Sequence, residues 1–272
     1  MVTTPRGNIP ISIEFCQIDR NVDQSLIATA IHDGHAVREE VEQLLSLTDA
    51  ERLHEEDPFT AMWAQIADNS IVVSRSRFEV DLNRIRESAV YIKPKDAWGL
   101  KVWKNEPPAD LLRRSLAEYN QFYSEVERFL RGIEERHGRF VVFDLHSYNH
   151  LRDGLDQPPA DPRFNPEINI GTGSMPRDRW SPVVDRFISD LKSFDYFGRS
   201  LDVRENVKFK GGYFSRWIHE TFPDTGCSIA IEVKKTFMNE WTGELYPERH
   251  AAIGFALQST ISGVLEELAT FG

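Results

Sequence analysis

The chain has 272 residues, 40% of them hydrophobic, and a formal net charge of -11. That length fills one large α/β domain or two smaller ones and needs no disulfide or structural metal to bury an adequate core. The acidic balance argues against general nucleic-acid binding, and no apolar run approaches the ~18 residues of a membrane span.

Only Cys16 and Cys227 are present, with no Cys-x-x-Cys pair, so a thiolate metal site is not expected. The first thirty residues lack a basic, then long apolar, leader pattern. The expectation is a cytoplasmic protein with no membrane or nucleic-acid partner; its oligomeric state is left open.

Residues 1–10 read as an irregular entry, and Ile11 to Phe15 as a first strand or an edge hairpin. Ser25 to Ile31 is a stronger strand, ending at His32-Asp33-Gly34-His35. Glycine there suits a tight turn into a helix with Val37, Val41, Leu44, Leu45 and Leu47 on one side. In open α/β sheets the carboxyl ends of the strands face the ligand crevice, which makes His32 a candidate metal ligand. An acidic stretch, Glu55-Glu56-Asp57, precedes Pro58; such runs are usually solvated faces, but a carboxylate from it can also complete a metal site. Phe59, Met62, Trp63 and Ile66 then resume helical spacing.

Ser70 to Ser74 is a further strand, followed by Arg75, Arg77 and Arg84. A guanidinium pairs bidentately with carboxylates, so this segment is a candidate for substrate-anion recognition, or for internal pairing with Glu79 or Asp81. Residues 91–108, with Trp98, Trp103 and three prolines, form a long ordered loop that either covers a site or simply packs. Asp110 to His137 is the longest helix, with Leu112, Leu116, Tyr119, Tyr123, Val126, Leu130 and Ile133 on its core face and Gly138 as its stop.

Phe140 to Phe143 is a buried strand with Asp144, His146 and Ser147 at its carboxyl end. His146 is the second candidate ligand. Residues 149–182 are mostly loop, with a short strand at Ile168 to Ile170. Val183 to Phe197 is a helix, Val203 to Phe209 a strand, and Lys210-Gly211-Gly212-Tyr213 a permissive turn near a ligand. Ser228 to Val233 is the last strong strand, carrying Glu232, and Glu248 to Leu268 closes as one helix. Strands alternating with helices point to a mainly parallel α/β sheet in one domain over 1–272.

The strand ends together offer His32, Asp57 or its neighbours, Arg77, Arg84, His146 and Glu232. Two histidines and a carboxylate with an open position is the ligand set of a catalytic zinc hydrolase.

The order of Ile-His-Asp-Gly at 31–34, Glu-Glu-Asp at 55–57, Ser-Arg-Phe-Glu-Val-Asp-Leu-Asn-Arg at 76–84 and Asp-Leu-His-Ser at 144–147 resembles the N-formylglutamate amidohydrolase (deformylase) family. Ile-Asn-Ile-Gly at 168–171, Phe-Lys-Gly-Gly at 209–212 and Ile-Glu-Val at 231–233 extend the resemblance. That family is similar, more distantly, to zinc carboxypeptidases and aspartoacylases, which implies a mixed sheet flanked by helices. The resemblance implies a zinc-dependent amidohydrolase acting on a small carboxylate-bearing amide such as N-formylglutamate. It makes His32 and His146 zinc ligands, with Asp57 as the third and His35 the alternative; Glu55 and Glu56 stay open as well. It makes Glu232 the general base and Arg77 the oxyanion-stabilising group. Asn83 and Arg84, beside Gly211 and Gly212, then hold the substrate. Ile31 in place of the usual proline, His35, and the segment from Tyr91 to Trp103 depart from the family's pattern. They bear on the substrate more than on the chemistry, leaving a carboxypeptidase-like or other hydrolase of larger amides as one alternative; a non-catalytic carboxylate-binding protein that keeps the arginine clamp is the other.

Overall fold

A computed structural model describes residues 11–21 and 23–270; the expected irregular entry at 1–10 lies outside them. The chain runs β1 (Ile11–Ile13), β2 (Cys16–Asp19), β3 (Leu26–Ala30), α1 (Glu39–Glu42), α2 (Asp49–Glu55), α3 (Thr60–Ala64), β4 (Asn69–Val73), α4 (Ala109–His137) and β5 (Phe140–Tyr148). It continues through β6 (Ile168–Gly171), α5 (Ser181–Ser193), β7 (Val203–Glu205), α6 (Tyr213–Thr221), β8 (Gly226–Lys234), α7 (Pro247–Ser259) and α8 (Ile261–Thr270).

The strands form one sheet in the order β1-β2-β4-β3-β5-β8-β6-β7. Its centre, β4-β3-β5-β8, is parallel. β2 joins β4, and β6 joins β8, in the antiparallel sense, so the α/β sheet is mixed. Both faces are covered, as the continuous apolar runs require. Leu26, Ala28, Val141, Phe143 and Leu145 pack with Trp63 of α3 and with α5, α7 and α8 on one side. The intervening residues, Ile27, Phe140 and Val142, pack with α4 and α6 on the other. The period of two along each strand thus feeds two separate cores.

Several elements differ from the sequence reading for local physical reasons. Ile11 to Phe15 is the hairpin option, with β1 paired to β2. The helix expected after Gly34 shrinks to the single turn α1. A Cβ at Gly34 would stand 2.2 Å from the carbonyl carbon of Ser74, so this glycine serves a close backbone approach, with the Ala36 N–H donating to Ser74 O at 3.0 Å. β5 runs on through Tyr148, which places Asp144 and His146 inside the strand. β7 ends at Glu205 because Asn206 takes a left-handed conformation, φ 55°. The closing helix divides at Thr260. There the Ser259 and Thr260 hydroxyls donate back to Ala256 O and Leu257 O, both at 2.7 Å, a competition that bends helices.

The 91–108 segment is ordered as expected and forms a small third core. Tyr91, Ala97, Val102 and Trp103 pack there with Val41, Leu45, Phe78 and Leu111. Trp103 donates its indole N–H to Tyr91 O at 2.6 Å. Trp98 differs: it is 48% exposed and sits in a left-handed conformation, φ 54°.

Candidate active site

Strand periodicity sets the site. On β5, Phe140 and Val142 face α4 and α6, and two further steps of two put Asp144 and His146 on that same face. Asp144 Oδ1 lies 3.0 Å from His146 Nε2 and accepts from Thr29 Oγ1 at 3.2 Å. Asp144 Oδ2 accepts from Ser215 Oγ of α6 at 2.8 Å. The His146 ring is therefore fixed with Nδ1 outward, 3.0 Å from Asp57 Oδ2. His32, just past β3, repeats the pattern. Its Nε2 stands 2.7 Å from Asp81 Oδ1, and its Nδ1 is 3.5 Å from the same Asp57 oxygen. The ring centroids are 5.0 Å apart at 60°. One donor atom from each of His32, Asp57 and His146 lies within 4.8 Å of the others, and all three residues are buried.

A ring that gives its Nε2–H to a carboxylate turns an Nδ1 lone pair outward. Here both outward nitrogens meet the carboxylate of Asp57. Lone pair against carboxylate is repulsive unless a cation lies between: without an ion a proton on His146 fills that role, and the same three donors can take a metal ion in its place. Carboxylate-backed imidazoles are also the usual outer support of such ions. Burial opposes ionisation of Asp57, but its bonds to His146 and His32 outweigh that and hold it well below the usual carboxylate range. Burial likewise opposes the His146 imidazolium, and Asp144 more than offsets it, raising the ring well above its ordinary value.

Glu232 stands directly opposite His146 in the β5–β8 register, so both side chains leave the sheet on the same face. Burial pushes its carboxyl up to about 7, the pull of His146 being countered by Asp57 and Asp144. The cluster and Glu232 open into a cavity of about 220 Å³ lined also by Arg77, Asn83, Trp98, Arg152, Lys210, Gly211, Gly212 and Lys235. Arg77 has its Nη2 3.1 Å from Asp81 Oδ2 and its guanidinium 5.0 Å from the Trp98 ring centre. Burial disfavours its charge, but Tyr91 and Asp81 more than restore it. Asn83 is clasped by the start of α6, accepting from the Phe214 N–H at 2.9 Å. A Cβ on Gly212 would collide with its amide at 2.2 Å.

Not every expected residue reaches the cavity. Arg84 does not line it. Its Nε sits 3.4 Å from Asp81 Oδ2 and its guanidinium 4.5 Å from the Tyr91 ring centre, which is the internal pairing weighed for it. Arg75 is bidentate to Glu118 at 2.8 and 2.9 Å. His35 bonds to Glu56 rather than joining His32 and His146, and Glu56 also accepts from Ser76. Glu55 pairs with Arg152, both bonds at 2.9 Å. Three contributors escaped the sequence reading: Asp81 as a support for His32, Arg152, and Lys235. Buried Lys235 donates to His54 O and Glu56 O, each at 2.7 Å, and ties the Asp57 loop to the end of β8; burial lowers it to about 8.

A carboxylate raised toward neutrality, three buried donors able to hold a cation and a largely buried arginine, gathered at the carboxyl edge of a mixed sheet, are the equipment of a hydrolase. The comparisons make that class specific. The chain belongs to the N-formylglutamate amidohydrolase family, whose model matches residues 24–238. It superposes on the crystal structure of N-formylglutamate amidohydrolase from Ralstonia eutropha with a TM-score of 0.69, 15% identity, and coverage of 89% of this chain and 92% of that one. A gene product of Agrobacterium tumefaciens gives a TM-score of 0.68 at 20% identity, covering 93% and 94%. At these identities the likeness is one of fold. A metallo-carboxypeptidase from Burkholderia cenocepacia aligns at 16% identity over 94% of this chain and 61% of its own with a TM-score of 0.37, a likeness too slight to carry weight. No curated protein matches the chain in sequence. Among the described residues no helix is long and apolar enough to cross a membrane.

Proposed function

We propose that this protein hydrolyses the amide bond of an N-acyl amino acid such as N-formylglutamate, with zinc held by His32, Asp57 and His146. The observation that carries the reading is the convergence of three buried donors beside a glutamate in register with one of them. Bound there, the ion supplies a Lewis acid for water and for the amide carbonyl. Glu232 accepts the proton of the attacking water and returns it to the amide nitrogen as the C–N bond breaks, leaving a carboxylic acid and an amine. Arg77, already positioned on the cavity wall, offers N–H donors to the oxygen that gains charge, an effect worth a few kcal/mol per donor. Asn83 and the Gly211–Gly212 backbone hold the substrate carboxylate. Arg84 acts in this reading through Asp81, steadying the support of His32. Two buried free thiols, Cys16 and Cys227, suit the reducing cytoplasm expected for the chain.

The test pairs metal analysis with turnover. The purified protein is expected to hold about one zinc and to release formate from N-formylglutamate. The His32→Ala, His146→Ala double variant is expected to lose both. Full metal occupancy surviving in that variant would sink the assignment.

A further inference from the structure

We propose that a second cavity takes the acyl half of the substrate, and that the acyl group is apolar and larger than formyl. This rests on the amidohydrolase reading above and names its substrate class. The second cavity, of about 350 Å³, lies beside the first; Glu55 and Arg152 line both. Its remaining walls are Ala50, Glu51, His54, Leu100 and Trp241, with the Glu51 carboxylate accepting from the Thr48 N–H and hydroxyl at 2.8 and 2.9 Å.

The polar edges of these walls are already used. His54 Nδ1 lies 2.8 Å from Glu240 O, and the Trp241 indole N–H donates to Leu151 O at 2.8 Å. The two rings lean together, centroids 4.6 Å apart. What they leave is aromatic surface, joined by the side chain of Leu100. An indole that is 43% exposed and fixed at its polar end is a ready contact for an apolar group. The wall between the cavities is neutral, because the Glu55 carboxylate is paired by both arms of Arg152. An apolar chain passing it strands no charge.

The direction follows from the first cavity. In the reading above, Gly211 and Gly212 before α6, with Asn83 bonded to the first turn of that helix, hold the carboxylate-bearing half. Glu55, which lines both cavities, stands two residues before Asp57, so an amide whose carbonyl sits at the His32–Asp57–His146 cluster has the second cavity within reach of its acyl half. A formyl group ends in a hydrogen and reaches neither ring; a chain of several carbons does.

The experiment compares kcat/KM for N-formylglutamate and N-hexanoylglutamate in the full chain and in two variants. Ala50→Trp fills the cavity from an exposed helical position, and Trp241→Ala removes one wall. The parent protein is expected to favour the hexanoyl substrate by about ten-fold or more, and each variant to lower that ratio by about ten-fold. Turnover of N-formylglutamate with no hexanoyl preference, or a ratio unmoved in both variants, overturns the acyl site and leaves the amidohydrolase reading standing. Turnover of neither substrate removes that reading, and the acyl site with it.

Discussion

Asp81 receives five groups: His32 Nε2, the Arg77 and Arg84 guanidinia, the Tyr91 hydroxyl and the Asn83 N–H. Burial disfavours its charge, yet Arg77 and His32 hold it well below the usual carboxylate range. One carboxylate thus orients an imidazole and an arginine together. Replacing it by asparagine is expected to weaken metal affinity about 10- to 100-fold, read by competition with a chelating dye. Glu232→Gln is expected to cut kcat by about 10²- to 10⁴-fold while metal content by elemental analysis stays near one. At this scale the convergence of His32, Asp57, His146 and Glu232 on one cavity was legible, because each lies at or beyond the apolar run of a recognisable element. Asp81 was not, since its bond to His32 spans 49 residues and nothing in local spacing announces it. Arg84 shows the same limit: the sequence offers both substrate binding and pairing with Asp81 or Glu79, and only the fold shows which carboxylate it meets.

Elements were legible where burial is two-sided. β3 and β8 stood out as apolar runs, and α4 by its amphipathic face, within two residues of their observed ends; β5 stood out too, but runs five residues past the expected Phe143. Short elements decided by tertiary contact were not. The turn after His32 looks like a helix start, yet Gly34 is required by the backbone of Ser74. Gly34→Ala is therefore expected to lower stability by about 1–3 kcal/mol through overpacking, seen as a lower urea midpoint at unchanged slope. At Gly212 the added methyl meets a side chain instead of backbone, so the expected effect is displacement of Asn83. A raised KM with a smaller change in kcat would show it; an unchanged KM would detach Asn83 from substrate binding.

Across the whole molecule, acid sensitivity has a source outside the three cluster residues. His219 on α6 is buried, accepts the Ser228 N–H at Nε2 (3.0 Å) and pairs with Ser174 through Nδ1. Burial lowers its pKa to about 4 from an ordinary 6.5. The folded state thus binds fewer protons than the unfolded one between those values. The stability this group contributes is complete above pH 6.5 and is lost as pH falls toward 4, about 3 kcal/mol in all. Urea melts from pH 7 to 4 are expected to show that slope, and His219→Gln to flatten it by one proton. The pairing of His146 with Glu232 across β5 and β8 has a further consequence. If β8 slid by one position, Glu232 would turn to the far side and Ile231 or Val233 would confront His146, while the apolar stripe on both sides inverted. Misaligned chains would therefore set the wrong residues against the helices on each face and carry no carboxylate at the site, so activity itself reports that the two central ribbons have zipped correctly.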